Sequence, residues 1–127
     1  MVSKPSAIGP AFKRSVSSKE LASKILRSVP ESQEFHFYLE IGKPTGQTAV
    51  SLTDFVEKLA AVNVQSINFH YSRKDFQKWI REVFGDAELA LRLGRIGRVR
   101  MGISGEALRS EITRAVKLRL NELKATQ

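Results

Sequence analysis

Hydrophobic residues recur along this chain with two different periods. Leu21, Ala22, Ile25, Leu26 and Val29 form one stripe of a helix over about 18–28, which Pro30 stops. Leu52, Phe55, Val56 and Leu59 mark a second helix over about 52–62. Phe76, Trp79, Ile80, Val83 and Phe84 mark a third over about 73–84, closed by Gly85. Asp86 then caps a short helix carrying Leu89, Ala90 and Leu93. Leu108, Ile112, Ala115, Val116, Leu120 and Leu123 share a narrow arc of the last helix, about 105–124. Two segments alternate instead. Phe35, Phe37, Leu39 and Ile41 interleave with His36, Tyr38 and Glu40; Ile67, Phe69 and Tyr71 interleave with Ser66, Asn68 and His70. Both read as strands. Gly42-Lys43-Pro44-Thr45-Gly46 is turn chemistry, from which residues 47–50 return as a short third strand of a hairpin.

The three helix starts share a grammar. Ser17 with Glu20, Ser51 with Asp54, and Ser72 with Asp75 each place a hydroxyl cap three residues before an acid that caps back. Asp is shorter than Glu, so the second and third boxes are weaker. The residues after each box differ, so the boxes are structural signals and not a repeat. The pattern predicts an α+β fold: a small antiparallel sheet packed on one face by four or five helices. Residues 1–16 read as a flexible basic arm and 17–127 as a single domain.

Composition changes little of this. The chain has 127 residues, with 42% hydrophobic and 27% charged, which is ordinary globular usage and excludes wholesale disorder. No apolar run reaches membrane-spanning length, so no membrane partner is expected. Cysteine is absent, which removes disulfides, thiolate metal sites and cysteine nucleophiles. A secretory leader is rejected because the start lacks an apolar run. The acid-free, Ser-rich opening leaves a transit peptide as the alternative to a plain arm. A cytoplasmic location is expected.

Charge sharpens the picture. The sequence holds 21 Lys and Arg against 13 Asp and Glu, a net +8. Residues 35–93 balance at seven of each, whereas 94–127 hold eight bases and three acids. The excess therefore sits at the two ends. Gly94-Arg95-Ile96-Gly97-Arg98-Val99-Arg100, with two glycines, reads as a loop or short exposed strand in which Arg98 and Arg100 share a face.

An ordered set of elements has a familiar look: Phe35-His36-Phe37-Tyr38, Gly42-Lys43-Pro44-Thr45-Gly46, Ser51-Leu52 with Phe55, Ser66-Ile67 with Phe69-His70, Asp75-Phe76 with Trp79-Ile80, Gly85-Asp86, and Gly105-Glu106-Ala107-Leu108-Arg109. It resembles a small prokaryotic family, prominent in archaea, known as domain of unknown function 5752. The resemblance spans roughly 35–124 and omits the basic start. It implies no activity and transfers no catalytic residue.

Candidate chemistry is thin. Lys43 and Gln47 break the Gly-x-x-x-x-Gly-Lys-[Ser/Thr] signature of a phosphate loop, leaving a hairpin turn. His36 and His70, with Glu40 near, make at most an incomplete metal set; polar-face or base-stacking histidines explain them better. Asp75 and Asp86 are accounted for as helix-start residues, Trp79 as core, and no nucleophile elbow is present. No catalytic residue, cofactor or metal is assigned. Phosphate recognition fits better. Lys4, Lys13 and Arg14 of the arm, Arg95, Arg98 and Arg100, and Arg109, Arg114 and Lys117 of the last helix are three basic groups suited to nucleic acid. Tyr38, His36 and His70 offer stacking surfaces. No base-reading motif is present. The leading expectation is a non-enzymatic accessory protein of RNA or a ribonucleoprotein, ribosome-associated by analogy. A regulatory or adaptor domain docking an acidic protein is the alternative, and a small enzyme built on His36, His70 and a carboxylate is the third.

Overall fold

The alternation at 35–40 does make a strand: Phe35 and Phe37 are buried, with exposed His36 between them. The computed structural model describes residues 17–127. Lys4, Lys13 and Arg14, with the arm expected at 1–16, lie outside the described residues. In chain order the elements are α1 (Ser18–Ile25), a 3-10 turn (Glu31–Gln33), β1 (Phe35–Glu40), β2 (Lys43–Ala49), α2 (Leu52–Ala61), α3 (Val64–Ser72), α4 (Asp75–Trp79), a π-helical turn (Ile80–Phe84), α5 (Ala87–Val99) and α6 (Gly105–Thr126). The fold is α+β. Among the described residues six α-helices surround one antiparallel strand pair, more than the four or five expected.

The hairpin is tighter than expected. Its turn is Ile41-Gly42 alone, Gly42 adopting φ 79°, and Ile41 is 79% exposed instead of joining the core. Lys43–Gly46 already belong to β2. β2 bulges between Pro44 and Thr48, where Gly46 takes φ 83°. Thr45 Oγ1 stitches the bulge, donating to Phe37 O and accepting from Gln47 N–H.

The aromatic side of β1 builds the core. Phe35 meets Phe37 and His70 at 4.8 Å between ring centroids, and Phe76 and Trp79 at 5.3 and 5.4 Å. Trp79 is buried as expected, and its Nε1–H donates to Gln33 O. The long helix α6 is the strut of the fold, packing on α1, α2, α3 and α5 through Leu108, Ile112, Val116, Leu120 and Leu123.

Two segments differ from expectation. Residues 66–71 are not a strand but the heart of α3. Ile67 and Tyr71 stand four apart, a spacing that both periods allow; Ile67 and His70, both buried, reveal the helical one. Residues 94–99 are the last turns of α5 rather than a loop. Two helical glycines each cost about 1 kcal/mol relative to alanine, and the packing of Tyr71 against Gly97 helps to offset that.

Capping was legible at two of three starts. Ser17 and Glu20 form the full reciprocal box. Ser51 accepts from Asp54 N–H, while Asp54 accepts from Val50 N–H. The third box does not form: Ser72 Oγ donates back to Phe69 O, Lys74 stands at the α4 start, and Asp75 turns to His70 and Arg73. Asp86 caps α5 by accepting from Leu89 N–H, and pairs with both ends of the Arg119 fork at 2.9 and 3.0 Å.

Candidate functional site

His36 and His70, expected on two neighbouring strands, lie on β1 and α3 and have different partners. His36 projects outward from β1, 3.8 Å from Glu34. His70 is buried on α3, where its Nε2 accepts from Tyr38 N–H at 2.8 Å. A backbone amide is a donor only, so Nε2 holds the lone pair and Nδ1 carries the hydrogen. Nδ1 donates to Asp75 Oδ2 at 2.8 Å, and Arg73 Nε donates to the same oxygen. Burial pushes the His70 pKa down, and the nearby Asp75 offsets this only in part. His70 thus serves as a neutral clasp between β1 and α3. Both histidines border an apolar cavity of about 480 Å³ walled by Phe35, Tyr38, Phe69 and Trp79. Among the described residues no three metal-ligating side chains converge.

Among the described residues the predicted basic side chains have different partners. Arg109 is engaged inside the molecule. It donates to Leu59 O and Val62 O at the end of α2, and twice to Glu106, which occupies four of its five N–H groups. It holds the Glu106 carboxyl below the usual range. Arg114 and Arg100 both reach Glu111, at 2.7 and 3.4 Å. Arg109, Arg114 and Lys117 do line one groove on the outer face of α6. Arg98 and Arg100 do not share a face, because Arg98 lies on α5 and Arg100 follows its end. Helical spacing sets Arg95 and Arg98 together instead.

A second basic cleft brings together residues that sequence reasoning left apart. It has a volume of about 580 Å³ and lies between α3, α4 and α5. Lys74, Arg81 and Arg98 line it, and no carboxylate does. None of the three lies within 4.0 Å of an acid among the described residues. The α3–α5 joint fixes its wall. Tyr71 Oη donates to Leu93 O and accepts from Gly97 N–H, two groups spaced to bond each other within a regular helix. A Cβ at Gly97 would stand 3.1 Å from that oxygen, so glycine permits the approach. At the floor, Gln77 is 8% exposed and its Oε1 is buried without a partner. An unpaired buried acceptor costs about 1–3 kcal/mol. The only sequence signals for this site were Gly94 and Gly97 inside an arginine-rich run, and the misread period of α3 hid their partner.

These features define a helical α+β protein with an acid-free cationic cleft. Residues 14–117 match a family of unknown function, DUF5752, and the chain belongs to that family. The match begins ahead of α1 and ends within α6, so it reaches further upstream than the elements that suggested it. No curated protein and no solved structure matches the chain. No helix among the described residues is long and apolar enough to cross a membrane.

Proposed function

We propose that the chain is a non-enzymatic accessory protein that attaches to RNA or a ribonucleoprotein through its phosphates. The observation that carries this reading is the distribution of unpaired cations. Arg92, Arg109, Arg114 and Arg119 are held by acids, whereas Arg95 and Arg98 on α5, with Lys74 and Arg81 across the cleft, have no carboxylate within 4.0 Å among the described residues. Arginine's planar fork suits phosphate oxygens. Lys4, Lys13 and Arg14 would add contacts from the arm, and Lys117 from α6.

The test is binding to single-stranded RNA across a salt series. Each phosphate contact adds about 0.7 to the slope of log K against log salt. A folded Arg95→Glu/Arg98→Glu variant is expected to bind at least tenfold more weakly and to lower the slope by roughly 1.4. Unchanged affinity and slope would remove these arginines from the interface.

One observation favours an adaptor that docks an acidic protein. Val99 and Met101 are 73% and 88% exposed beside Arg98 and Arg100, an apolar tip ringed by cations. Co-purification of a protein partner that survives nuclease treatment would favour that reading, and nuclease-sensitive co-purification the first.

A further inference from the structure

The cleft between α3, α4 and α5 has more definition than general backbone attachment requires. Gln77, nine-tenths buried, belongs to its lining, and its Oε1 is closed off without a hydrogen-bond partner. Arg98 folds back over the bare turn at Gly94, its Nη1 3.4 Å from where a Cβ would stand. Lys74 enters the lining from the turn before α4 with φ 64°, the one non-glycine residue of positive φ among the described residues. That conformation is disfavoured for a lysine and persists where the surroundings impose it. Three cations from three elements therefore converge on one concave space, beside an acceptor that has no donor.

We propose that this cleft binds a phosphomonoester whose neighbouring group carries a hydroxyl or amine. A phosphomonoester holds close to two negative charges near pH 7 and three outward oxygens, so it matches three cations better than a singly charged phosphodiester. The adjoining hydroxyl or amine donates to Gln77 Oε1 once the Gln77 side chain turns that oxygen toward the cleft. Each part of the ligand thus meets a group left unsatisfied in the free protein. A free nucleotide and the phosphorylated end of an RNA strand share this chemistry. The inference rests on the nucleic-acid reading only in that Lys74, Arg81 and Arg98 serve both.

The full chain is titrated calorimetrically with adenosine 5'-monophosphate, inorganic phosphate and adenosine. RNA oligomers of one sequence with a 5'-phosphate or a 5'-hydroxyl are titrated in parallel. The nucleotide is expected to saturate one site, phosphate to bind more weakly and adenosine not at all. Lys74→Gln and Arg81→Gln, both at exposed positions, should each weaken nucleotide binding about tenfold. Gln77→Leu should narrow the preference for nucleotide over phosphate. Amide shift changes in the unmodified protein, centred on Ser72, Gln77 and Gly94, locate the site if a variant does not fold. No nucleotide binding, or binding undiminished in folded Lys74→Gln and Arg81→Gln, overturns the inference; retained RNA binding would then leave the attachment reading standing. Nucleotide binding without RNA binding sinks attachment and keeps the cleft. Preference for the 5'-phosphorylated strand assigns the source to an RNA end, and equal affinity for the two strands alongside nucleotide binding assigns it to a free nucleotide.

Discussion

His70 shows how one residue acquires a role that its neighbours in sequence do not announce. Its Nε2 faces an N–H donor at Tyr38, so a proton there would set two donors against each other. The groups facing it are Asp75, which favours the charged ring, and Arg73, which opposes it. Burial dominates and holds the folded pKa below 6.5. The unfolded chain therefore binds more protons over this window, and stability falls as pH drops from the unfolded value through the folded one. Urea unfolding between pH 7 and pH 5 is expected to show that loss. His70→Gln should flatten it, while the carboxylates Asp54, Glu88, Glu106 and Glu122, all shifted down, lose their contributions only in more acid solution. A second residue-scale expectation concerns Gln77. Gln77→Leu removes the orphaned acceptor and should raise stability by about 1 kcal/mol in chemical denaturation, even as it impairs the cleft. A site shaped for a ligand is less than optimal without it.

At the scale of elements, two joints hold the helices in place. Tyr71 wedges its hydroxyl against α5 where Gly97 leaves room. Gly97→Ala should therefore be destabilising, despite alanine's better helix propensity, and less so in Tyr71→Phe, where the oxygen at 3.1 Å is gone. A double-mutant cycle by urea denaturation is expected to give a coupling of about 0.5–2 kcal/mol; simple additivity would mean that the contact is not made. The other joint is Asp86, 1% exposed, which caps α5 and clasps Arg119 of α6. Asp86→Ala leaves a largely buried guanidinium with only the longer Glu122 contact, at 3.4 Å, and removes the cap. A loss of about 3–5 kcal/mol is expected from thermal or denaturant unfolding. Arg109→Ala should cost less, about 1–2 kcal/mol, through the unmet carbonyls of Leu59 and Val62.

At the scale of the molecule, net charge is misleading and pairing decides. Three of the 21 cationic residues precede residue 17 and no acid does, so residues 17–127 carry +5. Arg92 and Arg119 lie in an interhelical network with Glu88, Glu122 and Asp86. Such cations fasten the fold and are not free for a partner. Deleting residues 1–16 should lower the salt slope of RNA binding by roughly 2, about 0.7 for each of Lys4, Lys13 and Arg14. An unchanged slope would exclude the arm from contact. In the same assay Arg114→Ala should change little, because Glu111 already neutralises that side chain.

Sequence alone determined what depends on local spacing. The stripes at 52–59 and 108–123 set their helices, Phe35 and Phe37 the buried face of the strand, and Ser17, Ser51 and Asp86 the starts of their helices; the helix expected over 18–28 stops at Ile25 with Leu21 39% exposed, and the one expected over 73–84 is α-helical only to Trp79 before the π-helical turn. The reason is that burial along an element obeys the element's own period, and a cap bonds within three residues. Tertiary structure decided the rest. Ile67, Phe69 and Tyr71 satisfy period two as a strand would, and packing against β1 made them helical. Two glycines look like a loop until Tyr71 fills the room they leave. The arginines were countable, but not which of them a distant acid or carbonyl would hold, since Arg109 meets α2 from 47 residues away or more. The cleft of Lys74, Arg81 and Arg98 exists only where three elements meet, and a juxtaposition of that kind has no periodicity along the chain.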